Sequence, residues 1–341
     1  MVIVMKIGAT SSDISGVSEF LKSKGLGVHI SEGSQATIIG VIGDKTVLRE
    51  TPLEMLSGVD KLVPIMQSYK LASRAFNPEG SCVNVGGALI GGKELTLIAG
   101  PCAVESEEQI IQTAKAVSAS GAKFLRGGAY KPRTSPYSFQ GMEDEGLKLL
   151  RLAGNMTGLK VVSEVISENQ VEVTAKYVDM FQVGARNMQN FRLLREIGKS
   201  KMPVLLKRGA SSTIDEWLDA AEYIMSEGNY NVVLCERGIR TFETATRNTL
   251  DICAVPVIKE KSNLPIIIDP SHAAGKAAYI HSLSMGAIAA GADGIIVEVH
   301  PDPLHAMSDA AQQITPSAFD LLCKDIAKLA PIVNRTVDFG K

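Results

Sequence analysis

Short apolar runs recur along most of the chain, and the spacing between them sets the expected fold. From Leu95 onward the runs are Leu95–Ala99, Lys123–Leu125, Val161–Val162, Met180–Val183, Val204–Leu206, Val232–Leu234, Ile266–Ile268 and Gly294–Val297. The stretches between them are long enough for helices. Ser106-Glu107-Glu108-Gln109 reads as a capping box, followed by Ile110, Ala114 and Val117 at helical spacing. Strands that are apolar almost throughout are covered on both faces, which implies a parallel sheet. Eight strand–helix units over about 240 residues predict a closed (β/α)8 TIM barrel rather than an open sheet.

The first part of the chain follows another rhythm. Val2 to Ile7 is a short strand run, and Asp13 to Lys24 predicts a helix with Ile14, Val17, Phe20 and Leu21 on one face and Gly25 as its stop. Gly27–Ile30 and Thr37–Ile42 are strands around a polar turn. Pro52 to Gly58 predicts a second helix, and Lys61 to Met66 with Lys70-Leu71-Ala72 a last strand. The order βαββαβ is a ferredoxin-like split. The expected division is a ferredoxin-like domain over 1–66, a linker or hairpin over 67–92 rich in glycine, and the barrel over 93–341.

Composition narrows the class without changing this picture. The 341 residues carry 35 Lys and Arg against 37 Asp and Glu, a formal net charge of −2, with 45% hydrophobic and 21% charged residues. That is ordinary for a soluble globular protein and argues against bulk disorder or a dedicated nucleic-acid binder. No run predicts a membrane span, and the apolar start lacks the flanks of an export signal. The five widely spaced cysteines are not a disulfide framework, so a cytoplasmic setting with reduced thiols is expected.

The chemistry lies in what closes each apolar run. The eight ends are Gly100-Pro101-Cys102, Arg126 to Ser135, Ser163-Glu164, Gly184-Ala185-Arg186-Asn187, Lys207-Arg208-Gly209, Cys235-Glu236-Arg237-Gly238, Asp269-Pro270-Ser271-His272 and Glu298 to Asp302. One charge at a strand end is usually solvated or paired. Eight polar ends converging on the C-terminal face of a barrel are a different matter, because crowding them costs desolvation unless a substrate or metal neutralises them. Arg126, Lys131, Arg133, Arg186, Lys207, Arg208 and Arg237 outnumber the nearby carboxylates. A cationic mouth in a net-negative chain points to strongly anionic small substrates, phosphates above all. Gly127-Gly128 and Gly184-Ala185 let backbone N–H groups approach an oxyanion. Cys102, His272, Glu298 and an acid after the last strand, Asp302 or Asp309, come from runs that neighbour one another around a closed barrel. This mixed donor set suits Mn²⁺, Fe²⁺, Co²⁺ or Zn²⁺.

These motifs, in this order, resemble 3-deoxy-D-arabino-heptulosonate-7-phosphate (DAHP) synthase, the enzyme that opens the shikimate pathway of aromatic amino acid biosynthesis. The front module resembles the regulatory domain of one subgroup. The resemblance implies a transferase that condenses phosphoenolpyruvate with erythrose 4-phosphate and releases phosphate, with one divalent metal ion held by Cys102, His272, Glu298 and Asp309. It implies that Arg126 and Lys131 take the carboxylate side of phosphoenolpyruvate, and that Arg186, Lys207, Arg237 and the Ala185 N–H take its phosphate. Pro132, Arg133, Thr134 and Ser135 would receive the sugar phosphate, Asp269 its hydroxyls, and Glu164 the reacting region. Lys131 and His272 are the candidate proton handlers. An aromatic amino acid effector, Tyr or Phe, is expected at the front module, where His29 and Ser31 could accept a phenolic hydroxyl. A homo-oligomer is expected, with a tetramer favoured.

Two rivals stand beside this reading. One is 3-deoxy-D-manno-octulosonate-8-phosphate synthase, on the same barrel with a longer sugar phosphate. Pro-Arg-Thr-Ser after Lys131, where that sibling typically carries Ala-Asn-Arg-Ser, and the front module both disfavour it. The other is a catalytically silent amino-acid sensor, which the full polar set at the strand ends disfavours.

Overall fold

The structure, a computed structural model, describes every residue except 33–36, 44, 49–50, 64–67, 132–134, 136 and 339–341; the side chains of Ser31, Glu32, Lys45, Thr46 and Val63 are also left undescribed. The chain divides into two compact units, Met1–Ser68 and Tyr69–Lys341.

In the first unit, β1 (Val2–Met5), α1 (Ser11–Ser23), β2 (Gly27–Glu32), β3 (Thr37–Ile42) and β4 (Val59–Val63) form an antiparallel sheet of order β2-β3-β1-β4 with one helix. The order is that of the ferredoxin-like split. Thr10 and Asp13 cap α1 reciprocally, each side chain accepting the other's backbone N–H. Val17 and Leu21 then meet Ile3, Met5, Ile39 and Val41 in a core of their own. The helix expected from Pro52 to Gly58 is instead a single 3₁₀ turn, Leu53–Met55, preceded by another at Lys45–Leu48. Too few residues lie between the proline and Gly58, whose φ is +80°, to repay helix nucleation. The last strand also starts earlier than expected, at Val59. Lys70–Ala72 is not a strand and belongs to the second unit, within which the Leu71 and Ala72 N–H groups donate to Glu222.

That unit opens with a hairpin, β5 (Val83–Val85) and β6 (Ala88–Ile90). Eight parallel strands follow: β7 (Thr96–Gly100), β8 (Phe124–Arg126), β9 (Lys160–Glu164), β10 (Met180–Val183), β11 (Val204–Lys207), β12 (Val232–Glu236), β13 (Ile266–Ile268) and β14 (Gly294–Glu298). They close into a barrel through β14 and β7, with Glu298 opposite Gly100. All eight expected strands are present, several running one or two residues further to take in the polar residue at the end. The helices between and after them are α2 (Glu107–Ala119), α3 (Glu143–Thr157), α4 (Val171–Ala175), α5 (Phe191–Ser200), α6 (Ile214–Ser226), α7 (Ala254–Lys261), α8 (Pro270–Ala274), α9 (Ala277–Ala289) and α10 (Pro316–Leu329). Ser106 caps α2 as expected, but Gln109 does not complete a box; its amide turns to Ala103 and Glu105. Among the described residues no helix is long and apolar enough to cross a membrane.

The barrel has two apolar layers, set by strand alternation. Ile98, Phe124, Val162, Met180, Leu205, Val233, Cys235, Ile267 and Ile296 fill the interior. Residues of the other parity, such as Leu97, Leu125, Val161, Leu206, Leu234 and Val297, pack against the helices. Each fully buried side chain of this kind contributes roughly 1.5–3 kcal/mol. Val83, Val85 and Ile90 of the hairpin join the interior layer. They do so at the end where the strands begin, since Gly86 packs on Lys160 and Gly91 on Pro265.

The Asp13 cap gives a pH prediction. Hydrogen bonds from the Thr10 hydroxyl, Ser57 and the Thr10 backbone hold its carboxyl down to about 2. A depressed carboxyl stabilises the fold fully above its unfolded value of about 3.9 and loses that contribution as pH falls through its folded value. Amide-exchange protection of α1 should therefore fall between pH 4 and pH 2. Asp13→Asn should lower it at neutral pH and flatten that dependence.

Candidate active site

Strand alternation selects which polar residues meet. Two positions beyond an interior apolar residue the chain reaches the mouth with the same parity: Arg126 after Phe124, Glu164 after Val162, Gln182 after Met180, Lys207 after Leu205, Arg237 after Cys235, Asp269 after Ile267 and Glu298 after Ile296. The opposite parity faces the helices. Arg208, expected among the cations of the mouth, lies there. Its Nη1 donates to Glu236 Oε2 at 3.0 Å and Asp251 Oδ2 at 2.7 Å, and its guanidinium lies 5.9 Å from the Trp217 ring centre. Arg208 and Glu236 are thus a structural ion pair outside the barrel wall.

The mouth opens as a cleft of about 690 Å³. Arg126, Lys131, Arg186, Lys207, Arg237, Arg240 and Arg247 line it, against the carboxylates of Glu164 and Asp309. Lys207 Nζ is held 2.6 Å from Asp269 Oδ2. Arg237 is buried, and no carboxylate among the described residues lies within ion-pair distance of it. Burial pushes its guanidinium below its usual value. A desolvated cation without an anion is poised for an anionic ligand. Ala185 opens a 3₁₀ turn, so its N–H has no partner within the turn, and Arg186 follows on the same cleft wall.

Beneath the cleft, one ligand atom each of Cys102, Glu298 and Asp309 lies within 4.8 Å of the others. Barrel closure brings the first two together. Gly100 allows the approach, since a Cβ there would fall 2.0 Å from the Arg126 carbonyl oxygen. Cys102 Sγ is 3.0 Å from Lys131 Nζ and 3.2 Å from Ser308 Oγ, and the Cys102 N–H donates to Gln313. Burial first, then Glu298, pushes its thiol up to about 11. Burial also opposes the charge on Glu298, but His272, Arg126 at 2.5 Å and Lys131 outweigh it and hold that carboxyl down to about 2. Asp309 sits at φ +49°, while the alternative acid Asp302 is exposed and paired with His305 at 2.7 Å. His272 stands beside this trio rather than within it. Its Nε2 is 3.5 Å from Glu298 Oε1, and its Nδ1 is drawn to 2.7 Å from Asp269 Oδ2, out of line for a hydrogen bond. Asp269 also caps α8 by accepting the His272 N–H.

Glu164 lies across Gly184, where a Cβ would fall 2.0 Å from its Oε1, and accepts from Gln182 Nε2 at 3.2 Å. Lys131 and Ser135 both line the cleft; Pro132, Arg133 and Thr134 between them lie outside the described residues. In the first unit His29 is exposed on β2, the outer strand of its sheet. Ser31 follows it two positions on, with its side chain outside the description. Sequence reasoning passed over Gln182, Arg247, Asn248 and Gln312. For Gln182 the signal was present, because it holds the same parity as Glu164 and Lys207.

Sequence comparison bears on this geometry. A profile described as the DAHP synthetase I family matches residues 35–333, and one for the DAHP synthase ferredoxin-like domain matches residues 1–67. The chain belongs to the DAHP synthetase I family. It is 50% identical over 338 residues to the phospho-2-dehydro-3-deoxyheptonate aldolase of Thermotoga maritima, covering 99% of this chain and all of that one. The crystal structure of a DAHP synthase from that organism superposes with a TM-score of 0.81 at 48% identity over 99% of both chains. A 2-dehydro-3-deoxyphosphooctonate aldolase from Geobacter sulfurreducens is 30% identical over 274 residues, 74% of this chain and 98% of its own. DAHP synthases are metalloenzymes, and the Cys102, Glu298 and Asp309 group is a possible place for the ion.

The outward pair yields a stability prediction. Arg208→Leu strands Glu236 in the wall, and the loss should be about 3–5 kcal/mol. Chemical denaturation should show it as a lower midpoint with an unchanged slope.

Proposed function

We propose that the chain condenses phosphoenolpyruvate with D-erythrose 4-phosphate and water to give 3-deoxy-D-arabino-heptulosonate 7-phosphate and phosphate. The observation that carries this is the buried Arg237, without a carboxylate partner among the described residues, in a cation-lined cleft above the Cys102, Glu298 and Asp309 cluster. Two anionic substrates supply the negative charge that such a cleft lacks.

In this reading Arg186, Lys207, Arg237 and the Ala185 N–H clamp the phosphate of phosphoenolpyruvate. Arg126 and Lys131 face its carboxylate. The 132–135 segment, with Arg133 as its cation, receives the sugar phosphate, and Asp269 its hydroxyls. So held, the enol carbon forms a bond to the aldehyde carbon, and water adds at the neighbouring carbon. The bond from that carbon to the phosphate oxygen then breaks and phosphate leaves. Glu164 sits where it can orient the water. Lys131 and His272 are the groups placed to move protons, Lys131 from 3.0 Å above the Cys102 sulfur. Alignment of the two reactants is the main contribution, since a well-oriented pair removes up to roughly 7–11 kcal/mol from the barrier.

Cys102, His272, Glu298 and Asp309 would hold one divalent ion, Mn²⁺, Fe²⁺, Co²⁺ or Zn²⁺. Its donor set of thiolate, imidazole and two carboxylates fits such an ion. When bound, it supplies Lewis acidity toward the aldehyde oxygen.

We further infer that the first unit binds an aromatic amino acid, Tyr or Phe, with His29 and Ser31 as acceptors of a phenolic hydroxyl. Inhibition then requires that the effector bind one of two states of the mouth more tightly. The working form is taken as a cytoplasmic homo-oligomer, a tetramer by preference.

Phosphate release should be measured with phosphoenolpyruvate and each of the two sugar phosphates. Release with the four-carbon sugar, abolished by chelation and restored by a divalent transition ion, is the expected result. Preference for the five-carbon sugar would overturn the condensation proposed, full activity after stripping would overturn the metal assignment, and no release with either sugar would favour the silent sensor. Cys102→Ser should weaken metal retention, because a soft ligand is lost. Removing residues 1–66 should leave phosphate release measurable and abolish its inhibition by Tyr or Phe.

A further inference from the structure

Gln312 is 2% exposed and lies among charges. Its Nε2 donates to Glu298 Oε2 at 2.6 Å and reaches Asp309 Oδ2 at 3.5 Å. Its Oε1 accepts from Arg247 Nη1 at 2.8 Å. These partners leave the amide one orientation. A flip would set its oxygen against two carboxylates and its NH₂ against a guanidinium.

We propose that Gln312 is a positioning residue of the metal centre, aiming the Glu298 and Asp309 carboxylates at one point and tying them to Arg247 on the cleft wall. The proposal rests on the reading that these residues hold a divalent ion. Two carboxylates drawn this close to each other repel. A neutral donor between them offsets the repulsion, and Arg247 Nη1 stands 3.4 Å from the same Asp309 oxygen. Arg126 meanwhile holds the other Glu298 oxygen. The chain brings Gln312 into place by a tight turn that starts at Asp309, whose carbonyl accepts the Gln312 N–H at 3.2 Å. The next residue braces the third ligand. Gln313 Oε1 accepts the Cys102 N–H at 2.9 Å, and its Nε2 donates to the Ser308 carbonyl at 2.9 Å. Groups that orient ligands in this way typically change metal affinity by about ten- to a hundredfold when removed. Because the same amide holds Arg247, ion occupancy and anion binding at the cleft wall are linked through it.

The test is a Co²⁺ titration of the stripped full-length protein, read by thiolate-to-cobalt charge-transfer absorption, with thermal melting of each stripped variant alongside. Gln312→Met should bind Co²⁺ roughly ten- to a hundredfold more weakly, with a displaced ligand-field band and little change in stripped-protein melting. Wild-type cobalt affinity and band positions in Gln312→Met overturn the proposal. So does a variant that loses only stability, which would make the role merely structural. If Gln312→Met does not fold, wild-type affinity and band positions in Gln312→Asn, whose shorter side chain draws the amide away from Glu298, overturn it instead. Absence of cobalt binding by the wild type would remove the metal reading itself, and this proposal with it.

Discussion

The pairing of β14 with β7 is the constraint on which the site depends. It sets Glu298 opposite Gly100, and so brings the last strand of the barrel to the first. Cys102, two residues past Gly100, and Asp309, on the loop after β14, then fall beside Glu298. No local motif assembles these three residues, since Cys102 lies about two hundred positions before the other two. Only a closed ring does, and an open sheet of the same strands would leave them on opposite edges. The glycine is part of the same constraint, because no larger residue fits between β7 and the Arg126 backbone.

Closure concentrates charge, and the structure sorts that charge by parity. Inward residues form short internal pairs, Arg126 with Glu298 and Lys207 with Asp269. Outward residues form others, Arg208 with Glu236 and Asp251. Buried pairs of this kind contribute little net stability, but removing one partner is costly. What the pairs leave over is a surplus of cations on the inward side, with Arg237 foremost. The surplus is the feature that an anionic substrate would answer.

The strand pattern was readable because each barrel strand is a short apolar run buried on both faces. The ends were read short because Arg126, Glu164, Lys207, Glu236 and Glu298 are polar and yet belong to the strands. Arg208 was misread for want of a parity count: Leu205 and Lys207 face in, so Arg208 faces out. Gln182 and Gln312 carry no charge and therefore drew no notice, although both touch carboxylates of the mouth. In the first unit the second helix failed because a proline and a left-handed glycine sit too close together for one to form. Cys102, His272, Glu298 and Asp309 could be named together from residue types, but residue type does not tell that His272 stands beside the other three, with its Nδ1 2.7 Å from Asp269.

The small hairpin seals the foot of the barrel. With Val83, Val85 and Ile90 stoppering the lower end, the filled interior is shielded from water at its foot. The hairpin thus adds to the burial that holds the ring shut, and the opposite rim is left free to carry charge.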